Sequence, residues 1–191
     1  MMGPAIPATP PLEPLLEIIA RLQRESIVCA LGGSGLLAAL GLAGTVRDWD
    51  LTAEAPLERL LPIAHGMRHE TAGSDALHAD AKLMFPDLMV EVIAQFAFHA
   101  PRGVVRIPTV VTGHWRGVPL GSLEAWAVAY DLLDRPAKRD RLLSHLRARG
   151  HDPATLRRLL AEPLPAGLAA RLAGLRAGSA AEPEEEPPPV A

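Results

Sequence analysis

Two short segments indicate the fold of this chain: residues 31–35, Leu-Gly-Gly-Ser-Gly, and residues 47–51, Arg-Asp-Trp-Asp-Leu. The first segment follows an apolar run, Ser26 to Leu31, which reads as a buried strand, and precedes Leu36 to Leu42, which predicts a helix. Glycine at such a turn lets the backbone approach a phosphate closely, and a helix start offers free N–H groups. The turn therefore predicts phosphate binding by Gly32, Gly33 and Ser34, the last through its hydroxyl.

The second segment carries two acids with one residue between them. Thr45 to Thr52 alternates with a period of two, which predicts a strand with Asp48 and Asp50 on one face and Trp49 on the other. Arg47 then faces away from Asp48, in a structural or rim position. Two carboxylates on one face repel each other unless a cation lies between them, and Mg²⁺ takes carboxylate ligands. We predict a divalent-metal site at Asp48 and Asp50; the alternative is a pair of exposed acids at a strand end.

These two motifs together, Gly33-Ser34 and Asp48-Trp49-Asp50-Leu51, resemble the nucleotidyltransferase superfamily, which has the DNA polymerase β-like fold. The family carries a third acid on a later strand, and Glu91 within Met89-Val90-Glu91-Val92-Ile93 is similar to it, although Asp is more common there. Residues 119–126 and 132–140 resemble segments of small bacterial nucleotidyltransferase-like proteins. The resemblance spans residues 26–146.

The resemblance implies transfer of a nucleoside monophosphate from a nucleoside triphosphate, expected to be ATP, to an acceptor hydroxyl. It implies that Asp48, Asp50 and Glu91 are catalytic residues that hold Mg²⁺ or Mn²⁺. The acceptor would be a small molecule, an RNA end or a protein side chain. Strand alternation places Lys82 on one face with His78 and Asp80, where it would contact the triphosphate if that face lines the pocket and solvent if it does not.

Two other functions remain open. The first is a non-catalytic nucleotide-binding or toxin–antitoxin partner protein with the same fold. The glutamate at position 91, where Asp is more common, leaves this alternative open. The second, less favoured, is a dinucleotide-binding protein, because Ala38 stands where the full glycine fingerprint needs its last glycine. Two acids on one face also exceed what a ribose contact requires.

Strands and helices alternate as far as about residue 120, and helices follow. We therefore expect an α/β or α+β fold, with a small mixed sheet flanked by helices in residues 12–120 and a C-terminal helical segment in 121–177. Ser122 and Asp152 are the expected N-caps, and Gly150 is the expected end of a helix. Residues 1–11 and the acidic, Pro-rich residues 178–191 are predicted to be disordered.

Composition limits the partners. The chain has 191 residues and a formal net charge of −3, which argues against a broad electrostatic grip on nucleic acid. Its single cysteine, Cys29, cannot form an internal disulfide and is expected to be buried. No apolar run is long enough to span a bilayer, and no export signal is recognised at the start, so a cytoplasmic location is expected and no membrane partner.

Overall fold

The computed structural model describes residues 9–178, so most of both predicted disordered ends lies outside the described part of the chain. Seven α-helices are present there: α1 Leu12–Arg24, α2 Gly33–Ala39, α3 Leu57–Leu60, α4 Leu123–Leu132, α5 Pro136–Arg149, α6 Pro153–Leu160 and α7 Ala166–Gly178. Nine strands accompany them: β1 Cys29–Leu31, β2 Trp49–Ala53, β3 Glu70–Ala72, β4 Ala81–Phe85, β5 Val90–Ala94, β6 Ala97–Ala100, β7 Gly103–Arg106, β8 Val111–Trp115 and β9 Val118–Gly121.

Seven of the strands form one mixed sheet in the order β3-β4-β5-β2-β1-β9-β8. The pairs β2–β5 and β1–β9 are parallel, and the other neighbours in this sheet are antiparallel. Strands β6 and β7 form a separate hairpin. The expected mixed α+β architecture with a C-terminal helical segment is confirmed.

Two buried clusters lie on the sheet. One surrounds Trp49 and includes the inner face of α1, whose Leu15, Ile18 and Leu22 are fully buried. The indole N–H of Trp49 also donates to the carbonyl of Pro11 at 3.1 Å. The other cluster surrounds Trp126 and holds the C-terminal helices against α2 and the β6–β7 hairpin. The apolar residues of helices α4–α7 thus complete the core, as burial of apolar area favours.

The predicted helix signals are confirmed. Ser122 Oγ accepts the backbone N–H of Ala125 at 3.1 Å, which caps α4. The carboxylate of Asp152 accepts the N–H groups of Ala154 and Thr155 and caps α6. Helix α5 ends at Gly150, where φ is +91°. The Ser122 and Asp152 side chains thus satisfy N–H groups that a helix start leaves without partners.

Several element boundaries differ from the predictions. Helix α2 starts at Gly33 rather than Leu36, so the glycines lie in its first turn. Strand β2 starts at Trp49 rather than Thr45, because pairing with the β5 region begins where the Trp49 N–H donates to the carbonyl of Met89. The apolar residues from Pro56 to Met67 have helical spacing, which predicts one helix, but the region forms only α3 and a 3₁₀ turn, Leu61–Ala64, since Pro62 has no N–H to continue an α-helix.

Two further differences have local causes. Weak alternation from Ala76 to Phe85 predicts a strand, but β4 begins only at Ala81, because the Asp75 carboxylate accepts the N–H groups of Leu77 and His78 and makes a turn. The sequence predicts a loop from His114 to Gly117 between short strands, but β8 extends to Trp115 and the chain turns only at Arg116 and Gly117, both with positive φ. Across residues 9–178, no helix is both long and apolar enough to cross a bilayer.

Candidate active site

The parallel pairing of β2 and β5 brings the predicted acids together. Asp50 and Glu91 occupy the same register position on these adjacent strands. Asp48 lies just before β2 and is exposed, whereas Asp50 and Glu91 are half-buried. On the far side of β5, the Lys82 ammonium of β4 lies 2.8 Å from Glu91 Oε1. Lys82 therefore joins the predicted acids, and the face it occupies lines a pocket.

The glycine turn lies directly against Asp50. Gly33 has φ +54°, and a Cβ added to it would stand 1.8 Å from Asp50 Oδ2. The neighbouring Gly32 N–H donates to the Asp50 carbonyl at 2.8 Å. Glycine at position 33 is thus required both by its left-handed backbone and by the close approach of the carboxylate.

Gly32 is required for a different reason. A Cβ at this position would stand 1.8 Å from the Trp126 ring of α4. This glycine therefore lets α4 pack against the turn, and its predicted contact with a nucleotide remains a prediction. Packing of Trp126 on Gly32 ties the C-terminal helices to the site.

The acids and cations line one cleft of about 590 Å³. Its lining residues are Ser34, Thr45, Arg47, Asp48, Asp50, Lys82, Glu91, Arg135 and Lys138. Arg47 was expected to point away from the acids, and it instead lines the cleft, because β2 begins only at Trp49 and strand alternation does not apply before it.

Sequence reasoning assigned no role to Arg135 and Lys138. Arg135 immediately precedes α5, and Lys138 lies in its first turn, 5.2 Å from the centre of the Tyr130 ring. The one available signal was the similarity of residues 132–140 to related proteins, since nothing local indicates that this helix start faces β2.

The electrostatics of the cleft centre on Asp50. Burial, together with the like charges of Asp48 and Glu91, raises the pKa of this carboxyl to about 7, against the opposing effect of Lys82 and Lys138. A carboxyl in this state is stabilised by any added positive charge. The cleft thus holds an acid that the chain itself leaves electrostatically unsatisfied.

The lysines respond in opposite directions. Burial disfavours the charged form of Lys82, but its hydrogen bond and ion pair with Glu91, aided by Asp80 and Asp50, outweigh burial and raise its pKa. Burial and the charge of Arg135 lower the pKa of Lys138, in spite of Asp50. The charge of Lys82 is therefore balanced by its ion pair with Glu91, whereas the charge of Lys138 is only partly balanced by nearby acids.

The donor set suits a hard divalent cation. Asp48, Asp50 and Glu91 offer carboxylate oxygens to one cleft, and the mutual repulsion that raises the Asp50 pKa would be relieved by a cation. Within residues 9–178, no group of three His, Cys, Asp or Glu side chains is already arranged as a metal cage. Glu91 Oε1 pairs with Lys82, so Lys82 competes with a metal for this carboxylate.

Comparison with known proteins gives structural matches alone. No protein-family profile matches the chain, and no curated protein matches it by sequence. The solution structure of the antibiotic-resistance factor ANT(2'')-Ia matches with TM-score 0.54 and 15% identity, over 89% of this chain and 93% of that one. The crystal structure of ANT(2'')-Ia in complex with adenylyl-2''-tobramycin matches with TM-score 0.52 and 15% identity, over 87% and 97%.

Both matches cover most of this chain and nearly all of the matched chain. At 15% identity, they establish a common fold and nothing about the substrate. The fold expected from residues 31–35 and 47–51 is confirmed: this chain has a nucleotidyltransferase-like fold.

Proposed function

We propose that the protein transfers a nucleoside monophosphate from a nucleoside triphosphate to an acceptor hydroxyl in a reaction that depends on a divalent metal. The observation that carries the proposal is the register pairing of Asp50 with Glu91 beneath Gly33, in a cleft that also holds four cationic side chains. Acids beside cations are the combination that a metal–triphosphate complex requires.

The phosphates are assigned to the cationic side of the cleft. Ser34 supplies a hydroxyl donor there, and Arg135 and Lys138 supply positive charge from the start of α5. Gly33 leaves room for a phosphate oxygen because it has no side chain. ATP is the expected nucleotide. Lys82 contacts ATP only after the ion pair between Lys82 and Glu91 breaks.

Asp48, Asp50 and Glu91 would hold Mg²⁺ or Mn²⁺, which when bound neutralises charge on the phosphates. In the transfer, the acceptor oxygen forms a bond to the α-phosphorus while the bond between the α-phosphorus and the bridging oxygen breaks. Pyrophosphate leaves with that electron pair, held by Arg135 and Lys138. The hydroxyl proton passes to Glu91, directly or through water. Positioning and charge neutralisation provide most of the rate enhancement.

One observation favours a second candidate, a nucleotide-binding partner protein without turnover. The third acid is the longer glutamate, and it is engaged by Lys82 at 2.8 Å. If this ion pair persists with nucleotide present, Lys82 weakens the ability of Glu91 to hold a metal and to accept a proton. The protein would then bind a nucleotide without transferring it.

The test is thermal stabilisation of the wild type by each nucleoside triphosphate, with Mg²⁺ and with EDTA. A ligand at 100 times its Kd adds about 2.7 kcal/mol to the free energy of unfolding. We expect Mg²⁺-dependent stabilisation that is lost in Asp50→Asn and kept in Glu54→Gln, a matched change at the other end of β2. Absence of stabilisation in a folded wild type rejects the nucleotide site.

Turnover separates the two candidates. Pyrophosphate release that requires Mg²⁺ and an added hydroxyl compound identifies a transferase. Stabilisation by nucleotide without any release identifies the binding protein. A Lys82→Met variant frees Glu91, so unchanged turnover in that variant would show that the ion pair does not limit the reaction.

A further inference from the structure

We propose that the acceptor is an uncharged molecule with a hydroxyl group on an apolar body, and that it binds an apolar shelf beside the acids. The shelf consists of Met84, Phe85, Pro86, Met89 and Val90, with a volume of about 400 Å³. Arg47, Asp48 and Glu91 line both the shelf and the main cleft. This inference rests on the proposed transferase function and names the class of its second substrate.

The role proposed for the shelf follows from the direction in which the acceptor oxygen attacks the α-phosphorus. In phosphoryl transfer, the attacking oxygen and the leaving oxygen lie roughly in line across the phosphorus. The leaving pyrophosphate is assigned to Ser34, Arg135 and Lys138, and none of these three lines the shelf. The shelf instead adjoins Asp48 and Glu91, so a molecule bound there approaches the α-phosphorus from the acid side.

The chemistry of the shelf selects an apolar ligand. Met89 is 51% exposed, although it is a large apolar side chain, and it follows the 3₁₀ turn Pro86–Leu88 with φ +54°. Left-handed backbone is unfavourable for a residue with a side chain, and the turn holds Met89 there toward the shelf opening. Exposed apolar side chains beside a concave surface are typical of ligand sites; on the shelf Pro86 and Met89 are exposed and Met84 is half-buried, above the buried Phe85 and Val90.

Charge on the shelf argues against a cationic acceptor. Asp48 and Glu91 are the carboxylates among its lining residues, and both are assigned to metal binding. Glu91 is also paired with Lys82, and Arg47 adds a positive charge at the rim. A molecule with several ammonium groups would find no free carboxylate there, and desolvating those groups against methionine side chains is unfavourable.

The first experiment measures the shelf without nucleotide. The probe is N-phenyl-1-naphthylamine, an uncharged apolar fluorophore whose emission increases on binding. Met89→Lys places a charge on the shelf, and Leu61→Lys makes the same change at an exposed residue outside both clefts. We expect saturable binding to the wild type and Leu61→Lys, with about tenfold weaker binding to Met89→Lys. Equal binding to all three proteins would overturn the shelf as a ligand site.

The second experiment measures acceptor choice. Octyl glucoside below its micelle concentration, glucose and tobramycin are offered separately with Mg²⁺ and ATP labelled at the α-phosphate. The three compounds differ in apolar area and in positive charge but all carry hydroxyl groups. We expect kcat/KM for octyl glucoside to exceed that for glucose by about tenfold or more, since burial of several methylene groups contributes to binding. Preference for tobramycin or glucose would overturn the inference.

The variants distinguish failure of this inference from failure of the transferase function. In Met89→Lys, the KM for octyl glucoside should rise while Mg²⁺-dependent stabilisation by ATP stays as in Leu61→Lys. If no nucleoside triphosphate stabilises any of these proteins, the transferase function is rejected, and with it the acceptor role of the shelf. If ATP binds and Met89→Lys leaves the KM for octyl glucoside unchanged, the shelf alone is rejected.

Discussion

At one end of the paired strands β2 and β5 lie Asp50 and Glu91, and just beyond the other end lie Glu54 and Gln95. Glu54 Oε1 accepts the backbone N–H of Thr109 at 2.8 Å, and the Arg158 guanidinium lies 3.5 Å from it. The Gln95 N–H donates to the carbonyl of Ala53 at 2.9 Å. Asp50, by contrast, shares its cleft with two other carboxylates, and burial and these charges dominate its pKa.

Each end also opens to a cleft, and the two clefts differ in the state of their acids. The cleft beyond Glu54 has a volume of about 460 Å³ and is lined in part by Arg106 and Arg158. Its carboxylate is already satisfied by a backbone donor and a nearby arginine, so it ties the loop at Thr109 to β2. At the acid end Glu91 is paired with Lys82, but the Asp50 carboxylate lies beside two like charges that raise its pKa, which is the arrangement that a bound cation stabilises.

Adding a side chain at Gly33, between the glycine turn and the Asp50 carboxylate, should change the free energy of unfolding more than any other substitution considered. Gly33→Ala should lower the free energy of unfolding by about 3 kcal/mol, from left-handed backbone strain and the clash with Asp50 Oδ2. Gly41→Ala is the matched control, since Gly41 has φ +69° and a Cβ there meets nothing within 4 Å. The control should lose about 1 kcal/mol, from strain alone. Urea unfolding of the two variants measures both costs.

Nucleotide binding gives the same comparison a second readout. Gly33→Ala should lose stabilisation by Mg²⁺ and ATP, while Gly41→Ala should keep it. Equal costs of unfolding in the two variants would show that the turn does not press on Asp50. The acid end would then lack the close contact that sets it apart from the Glu54 end.

The sequence predicted the parts of this site that are local. Asp48 and Asp50 are close in sequence, and a glycine-rich turn between a strand and a helix has a recognisable pattern. The pairing of Glu91 with Asp50 needed the family resemblance, because the order of strands depends on contacts between distant segments. The ion pair between Lys82 and Glu91 was not predicted, since it arises from a diagonal contact between β4 and β5.

Three of the four cationic side chains in the cleft, Arg47, Arg135 and Lys138, were not predicted to line it. Arg47 was placed on the wrong side because the strand was extended four residues too early, from Thr45 instead of Trp49. Arg135 and Lys138 reach the site through the packing of α4 and α5 against the turn, with Trp126 seated on Gly32. Long-range packing of this kind leaves no periodic signal in the sequence.

An effect of intermediate size is expected in the pH dependence of the free energy of unfolding, which should distinguish Asp50 from the acids outside the cleft. Its pKa is about 7 in the folded protein and 3.8 without the fold, so between these values the folded state holds a proton that the unfolded state has released. The wild type therefore loses stability as pH rises through this window. Asp50→Asn has no such proton, so its advantage in stability over the wild type should grow from near zero at about pH 4 to about 2 kcal/mol at about pH 8.

Urea unfolding in EDTA at several pH values measures this difference, since shared titrations cancel between the two proteins. Glu58→Gln, a change at an exposed acid, serves as the control and should show no trend with pH. A difference between Asp50→Asn and the wild type that stays constant with pH would contradict the raised pKa. Asp50 would then be an ordinary solvated carboxylate, like the acids outside the cleft.

The smallest expected effect concerns the satisfied acid. Glu54→Ala removes the acceptor for the N–H of Thr109, a residue that is 8% exposed, and should lower the free energy of unfolding by about 1 kcal/mol. This loss should be the same at about pH 6 and pH 8, because it comes from a backbone hydrogen bond. Glu58→Ala is the control and should change stability by less than about 0.5 kcal/mol. If Glu54→Ala instead raised the free energy of unfolding, as Asp50→Asn is expected to do, charge repulsion would destabilise both ends of the strands. Repulsion would then not distinguish the Asp50 end as the reactive one.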